Sequence, residues 1–256
     1  MKRDEIEIEE YDQELYNKIS HVYSKKDTIP YSRDARKIRL FRSIRFAKLP
    51  IPILLELGCG AGFTSSYLNG SYDKYIGVDY SSKLIEIAKE QNKGEGRRFI
   101  AVNIKNLKLE QNQKCDLALM IGVLHHMTER VESLELIKTF MNKSALLIMN
   151  EPLDSNLLIR SLRSLRVRFD NTYSEDQVFF SLDGYKQNLE DAGYSYEMYP
   201  QGLFTTPLAE TAFLPNFIGK PLFLILKPIE LLLENLLPTK FLLHFCWNVV
   251  IVAKPK

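Results

Sequence analysis

The 256-residue sequence has only three cysteines, Cys59, Cys115 and Cys246, and no CxxC pair. An odd, scattered set makes neither a disulfide framework nor a zinc site, so a reducing cytoplasm is the expected setting. Excess charge of one sign is lacking too. With 34 Lys and Arg against 32 Asp and Glu, the formal charge is +2, too little to draw the whole surface to nucleic acid. No apolar run reaches the roughly eighteen residues of a spanning helix. The nearest, "PLFLILKPIELLLENLLP" at 221–238, is broken by Lys227, Pro228, Glu230 and Glu234. The opening "MKRDEIEIEEYDQEL" is charged where a signal peptide needs its apolar stretch. Internal repeats and low-complexity tracts are missing as well.

What the chain does contain is alternation. From residue 51 onward, the short apolar runs "ILLEL" (53–57), "YIGVDY" (75–80), "RFIAVN" (98–103), "CDLALMIG" (115–122) and "ALLIMN" (145–150) alternate with stretches of helical spacing. That pattern predicts βαβ units, a mostly parallel sheet with helices on both faces. The clearest helix, "ERVESLELIKTFMNK" (129–143), lines up Val131, Leu134, Leu136, Ile137 and Phe140 in one stripe. "SLDGYKQNLEDAGYSYEMYP" reads as a helix stopped at Gly193 and a strand near 194–199, and "WNVVIVAKP" as the last strand. Residues 1–50 read as a helical N-terminal cap. Residues 51–256 read as the main domain, carrying an unusually apolar helical insert over 200–246.

At 53–62 the sequence is "ILLELGCGAG", an apolar run that ends in Glu56 and then Gly58, Gly60 and Gly62. A strand that ends in glycines and hands over to a helix exposes backbone N–H groups and leaves room for a ligand at the sheet's C-terminal edge. The dinucleotide fingerprint GxGxxG needs its third glycine at position 63, which is Phe63, and no Gly-Lys-Ser/Thr of a P-loop follows. A carboxylate at the strand end would repel a pyrophosphate and tolerate a ligand carrying an ammonium and a sulfonium.

"ELGCGAG" resembles the ExGxGxG motif of class I S-adenosylmethionine-dependent methyltransferases, and residues 51–200 with 247–253 follow that family's order of elements. The resemblance implies an α/β, Rossmann-like doubly wound seven-stranded sheet with an antiparallel last strand. It also implies S-adenosylmethionine as cofactor, with Glu56, Gly58, Cys59, Gly60 and Gly62 around its methionine part. "GVDYS" then places Asp79 at the end of the second strand, beside Tyr80, where a carboxylate can accept both ribose hydroxyls. "AVNIKNL" puts Asn103 and Ile104 where the family more often has Asp to receive the adenine amino group. The amide oxygen of Asn103 can accept there. "MIGVLHHM", with Ile121, resembles the fourth motif and its frequent paired histidines. By the same resemblance Tyr16 and Tyr23 of an N-terminal helix would close over the cofactor, and Arg36 would hold its carboxylate. Each motif alone has a structural alternative: a tight βα turn, a helix cap at Asp79, a packing role for each tyrosine.

Methyl transfer from a sulfonium is a direct displacement, so the protein mainly aligns the acceptor and excludes water. A general base matters only when the acceptor must lose a proton, and histidine is the usual choice. His125 and His126 follow the fourth strand. Adjacent side chains diverge, so at most one faces the acceptor and a paired metal site is not expected. His126 is the preferred base; a histidine that merely shapes the pocket is the alternative. Glu151 in "MNEPLD" either orients the acceptor or caps a turn.

Two basic series bear on the substrate. Arg33, Arg36, Arg39, Arg42, Arg45 and Lys48 recur every third residue, as do Arg160, Arg163 and Arg166, with Arg168 beyond. Each would wind round a helix as a stripe, either solvated or facing an anionic acceptor. In the insert, Leu222, Ile225, Leu226, Ile229, Leu232, Leu233 and Leu236 share one side, with Lys227, Glu230 and Glu234 opposite. That helix would be a core helix, a lid over an apolar acceptor, a homodimer interface or a peripheral membrane contact through 213–245. The expectation is a cytoplasmic methyltransferase acting on a small-molecule or lipid-linked, anionic acceptor. The alternatives are an RNA methyltransferase and a cofactor-binding relative without catalysis. Nucleic acid is not the expected partner, because "GVLH" stands where many base-amino methylating relatives carry an N/D-P-P-Y/F tetrapeptide.

Overall fold

The computed structural model describes residues 5–256 apart from 112, 155, 158, 162–178 and 211–213. Seven strands form one sheet: β1 (Ile51–Leu57), β2 (Tyr72–Asp79), β3 (Arg97–Ala101), β4 (Cys115–Ile121), β5 (Met141–Pro152), β6 (Tyr194–Gln201) and β7 (Asn248–Pro255). Their order across the sheet is β3-β2-β1-β4-β5-β7-β6. The first five run parallel, and β7 runs antiparallel between β5 and β6. This is the doubly wound sheet with an antiparallel last strand that the motifs imply.

Both faces of the sheet are covered, which is why β1 is apolar almost throughout instead of alternating. Leu55 and Leu57 enter the core on one face and Leu54 the core on the other. The covering helices are α1 (Glu5–Lys25), α2 (Pro30–Ile44), α3 (Phe63–Tyr67), α4 (Ser82–Gln91), α5 (Arg130–Phe140) and α6 (Leu182–Asp191). Ser81 and Ser181 cap α4 and α6 by accepting the N–H of Leu84 and Gly184. Beyond α6, Gly193 at φ 69° turns the chain into β6.

Several strand ends shift by a few residues from the sequence expectation, and two of the shifts change an element. α5 stops at Phe140, and Met141–Lys143 already belong to β5, because Met141 pairs with Cys115 across a register shift. β3 ends at Ala101, so Asn103 lies beyond the strand and opens a 3-10 turn at Ile104–Asn106.

The insert forms α7 (Thr205–Glu210), α8 (Asn216–Leu236) and α9 (Thr239–Leu242). α8 is not a core helix. Its polar side faces inward: Glu230 is fully buried and accepts from the backbone N–H groups of Phe204 and Thr205, both at 2.7 Å. Arg42 of α2 donates to Glu230 and Glu234, each at 2.8 Å. Gly219 brings the two helices together, since a Cβ there would stand 2.5 Å from the Tyr31 ring. Phe223 is buried against Tyr31 and Ala35 of α2 with Leu226 beside it, and the other leucines and isoleucines of α8, half-buried Leu233 aside, face out.

Candidate active site

Strand order reverses between β1 and β4, and a crevice opens outside the C-terminal ends of β1, β2 and β4, where doubly wound sheets place their ligands. It measures about 850 Å³ with its open mouth, and its apolar walls include Leu57, Val78, Ile104, Ile121, Val123 and Met127. Its floor is the glycine loop. Gly58, Gly60 and Gly62 have φ of 70°, 52° and 74°, the left-handed region that residues with a Cβ avoid. A Cβ at Gly58 would sit 2.4 Å from Val123 Cγ2, and one at Gly62 would sit 2.7 Å from the Phe99 ring. At Gly60 the nearest atom would be a Tyr23 ring carbon at 3.6 Å. Gly58 and Gly62 thus let the loop pack, and Gly60 keeps the crevice open.

Glu56 lies buried beneath this loop. Its Oε2 accepts from the Tyr75 hydroxyl and its Oε1 from Thr64 Oγ1 at 2.8 Å. Burial pushes its pKa up to about 8, against the opposing effect of those two hydroxyls and with help from Asp79 and Asp27. The strand-end acid is therefore protonated near neutral pH unless a cation approaches, whereas the sequence reading treats it as a standing carboxylate. Asp79 accepts the Gly60 N–H at 2.8 Å and the Ser81 N–H at 2.9 Å, locking the first loop to the second. Burial raises its pKa to about 6, the two N–H groups and His126 working the other way. Tyr80 and Ile104 line the crevice with Asn103, whose Oδ1 accepts the Lys105 N–H and whose Nδ2 donates to Glu9. Cys59 lies behind the loop, its thiol pushed up by burial and by Asp79 and Glu56.

α1 lies across the mouth. Glu9 holds Lys105 Nζ at 2.9 Å and Thr128 Oγ1 at 2.6 Å, Gln13 donates to the Tyr80 carbonyl at 2.7 Å, and Asn17 accepts from Ser81 Oγ at 2.8 Å. These residues recur at helical spacing, so one face of α1 touches the loops after β2, β3 and β4. Glu9, Gln13 and Asn17 stand four residues apart in "EEYDQELYN" (9–17), which is the sequence signal for the contact. Tyr16 and Tyr23 line the crevice from the same helix.

The two histidines part company. His126 lines the crevice, its Nδ1 3.0 Å from Asp12 Oδ2 and its Nε2 3.4 Å from the Tyr16 hydroxyl. His125 turns inward and is buried, its Nδ1 2.8 Å from Glu151 Oε2. Glu151 is fully buried, and its Oε1 accepts the N–H groups of Val123 and Leu124 at 2.8 and 3.0 Å. Burial works to raise its pKa, but His125 and the two N–H groups outweigh it and hold the carboxyl below the usual range. His125 and Glu151, candidate catalytic groups in the sequence, are both buried and neither is among the residues that line the crevice. They fix the turn that carries His126.

Beside the glycine loop a second cleft is lined by Tyr23, Asp27, Arg36, Arg39, Glu56 and Tyr67, among others. Arg36 donates to Asp27 at 2.9 Å and lies over the Tyr23 ring. The basic series on α2 is therefore not one exposed stripe: Arg36 pairs with Asp27, Arg42 with two glutamates, and Arg45 stacks on Phe46. In the second series Arg160 binds Asp154 through two nitrogens, and Arg163, Arg166 and Arg168 lie outside the described residues. Among the described residues no cluster of His, Cys, Asp and Glu could hold a metal.

Residues 53–192 match the family model described as a methyltransferase domain. The chain belongs to that family. A curated relative, demethylmenaquinone methyltransferase from Lactococcus lactis subsp. lactis (strain IL1403), is 35% identical over 95 residues, 36% of this chain. The match spans 38% of that relative's length. Among solved structures, a possible histamine N-methyltransferase from Thermotoga maritima superposes with a TM-score of 0.66 at 16% identity, over 96% of this chain and all of that one. The plantazolicin methyltransferase BpumL, solved with a monoazolic desmethylPZN analog and SAH, gives 0.58 at 18% identity over 98% and 97%. At such identities the neighbours establish the class I methyltransferase fold.

Proposed function

We propose that this class I methyltransferase moves the methyl group of S-adenosylmethionine to a small or lipid-linked acceptor that gives up a proton to His126. One observation carries the reading: His126 lies in the crevice wall with Asp12 on Nδ1 and Nε2 on the side of Tyr16. With Asp12 accepting the Nδ1 proton, Nε2 is left as the basic nitrogen.

The residues present fit the cofactor. Gly60 leaves the floor open, Asp79 retains lone pairs at the end of β2 for ribose hydroxyls, and Arg36 and Arg39 line the cleft next to the loop for a carboxylate. When bound, S-adenosylmethionine supplies a methyl group already activated on a sulfonium. The chain's own contribution is alignment and dryness: α1 covers the mouth, the apolar walls exclude water, and His126 Nε2 takes the acceptor's proton. Asp12 then stabilises the imidazolium. Apolar walls favour an uncharged acceptor body, and the relative named for demethylmenaquinone is in line with a small one. The paired state of Arg36 and Arg42 gives an anionic acceptor less support.

The test pairs the protein with methyl-labelled cofactor and a cell extract split into lipid, small-molecule and RNA fractions. Label should enter the lipid or small-molecule fraction; label in RNA, or in none, overturns the reading. With the labelled acceptor in hand, His126→Asn should lower kcat by about 10²–10³-fold, with the KM for cofactor little changed. An unchanged kcat would remove His126 from the chemistry.

A further inference from the structure

We infer that the outward face of α8 seats on an anionic lipid bilayer, lying in the plane of the membrane surface. The claim starts from an inversion. α8 is docked to the protein by Phe223 and Leu226 on a small apolar cluster with Tyr31 and by its carboxylates, Glu230 and Glu234, through Arg42 and the N–H groups of Phe204 and Thr205. At about 100° per residue, the half of the helix facing away from Glu230 carries one polar residue, Asn235, and otherwise only Phe, Ile, Leu and Pro. Phe217, Leu224, Ile225, Leu232 and Leu236 on that face are 58 to 78% exposed. A soluble surface scatters such residues singly; here they form one band along a helix about 32 Å long.

Charge selects the occupant. Between residues 214 and 245 the only acids are Glu230 and Glu234, both turned to Arg42, whereas Lys220, Lys227 and Lys240 are exposed. Lys220 and Lys227 are seven residues apart and run along one edge of the apolar band, as lysines do on helices that lie in a lipid interface. A second copy of the chain would bring the same lysines and no free carboxylate to meet them, so charge opposes a self-paired interface and favours anionic headgroups. Pro221 and Pro228 supply no N–H to the carbonyls of Phe217 and Leu224. A dry interface would orphan those carbonyls, and the hydrated headgroup level does not. The helix does not cross: among the described residues none is long and apolar enough.

The experiment is co-sedimentation of the full chain with vesicles of phosphatidylcholine containing phosphatidylglycerol, or of phosphatidylcholine alone, with gel filtration alongside. The chain should pellet with the anionic vesicles at low salt and less with the neutral ones. Lys220→Gln with Lys227→Gln should weaken the partitioning roughly tenfold or more. Leu224→Glu with Leu232→Glu should leave the chain in the supernatant while it melts at an unchanged temperature, since both side chains are already in water. Failure of the unaltered chain to pellet with either vesicle overturns the inference. So does a dimer on gel filtration that the Leu224→Glu, Leu232→Glu chain cannot form, which would assign the face to a second copy. The cofactor plays no part in this readout, so its outcome is separable from that of the proposed reaction.

Discussion

At the scale of single residues, the three glycines after β1 share a backbone conformation and differ in what they are for. Gly58→Ala adds both the left-handed penalty and a carbon 2.4 Å from Val123, so it should lower stability by about 2 kcal/mol or more. Gly60→Ala meets nothing closer than 3.6 Å and should cost about 1 kcal/mol, its larger effect falling on the binding of the demethylated cofactor. Urea unfolding and titration calorimetry separate the two; equal losses of stability would contradict the division. The motif was legible in the sequence, but the division of labour was not, because it depends on Val123 in the turn after β4 and Phe99 on β3, which the fold brings together at the loop. The histidine pair shows the same limit. That the two side chains diverge follows from adjacency, yet which one lines the crevice is decided by Glu151 and Asp12, 26 and 114 residues away in sequence.

At the scale of elements, hydrophobic periodicity located α8 and left its facing open. An amphipathic stripe ordinarily turns inward, and here a buried arginine–carboxylate cluster holds the polar side in instead. Arg42 was visible as one member of a basic series, but nothing local told it apart from Arg33 or Lys48. Arg42→Ala leaves Glu230 buried without its cation and should destabilise the chain by about 3 kcal/mol. Leu231→Ala, on the exposed side of the same helix, should change stability by about 0.5 kcal/mol or less. Thermal or chemical melts of the two variants would test the inversion directly, and a reversed ranking would refute it. α1 was read from its tyrosines, while its contacts with the site loops run through Glu9, Asp12, Gln13 and Asn17.

For the molecule as a whole, strand order was the most legible feature, since five apolar runs in βαβ alternation and a terminal strand leave few topologies open. Its electrostatics were the least legible, because burial sets them. Glu56 binds its proton with a pKa of about 8 in the fold against an ordinary 4.5, and Asp79 with about 6 against 3.8. Both are raised, so the stability they contribute is full below their ordinary values and is lost as pH rises toward 8. Urea midpoints should therefore fall between pH 6 and pH 8, and Glu56→Gln should flatten that fall; an unaltered slope would rule Glu56 out as its source. Finally, β7 lies inside the sheet, the sole bridge between β5 and β6. A nascent chain emerging from the ribosome therefore holds β6 with no neighbour and β5 with a bare edge until Asn248–Pro255 has also emerged, so both edges stay open to mispairing over that interval.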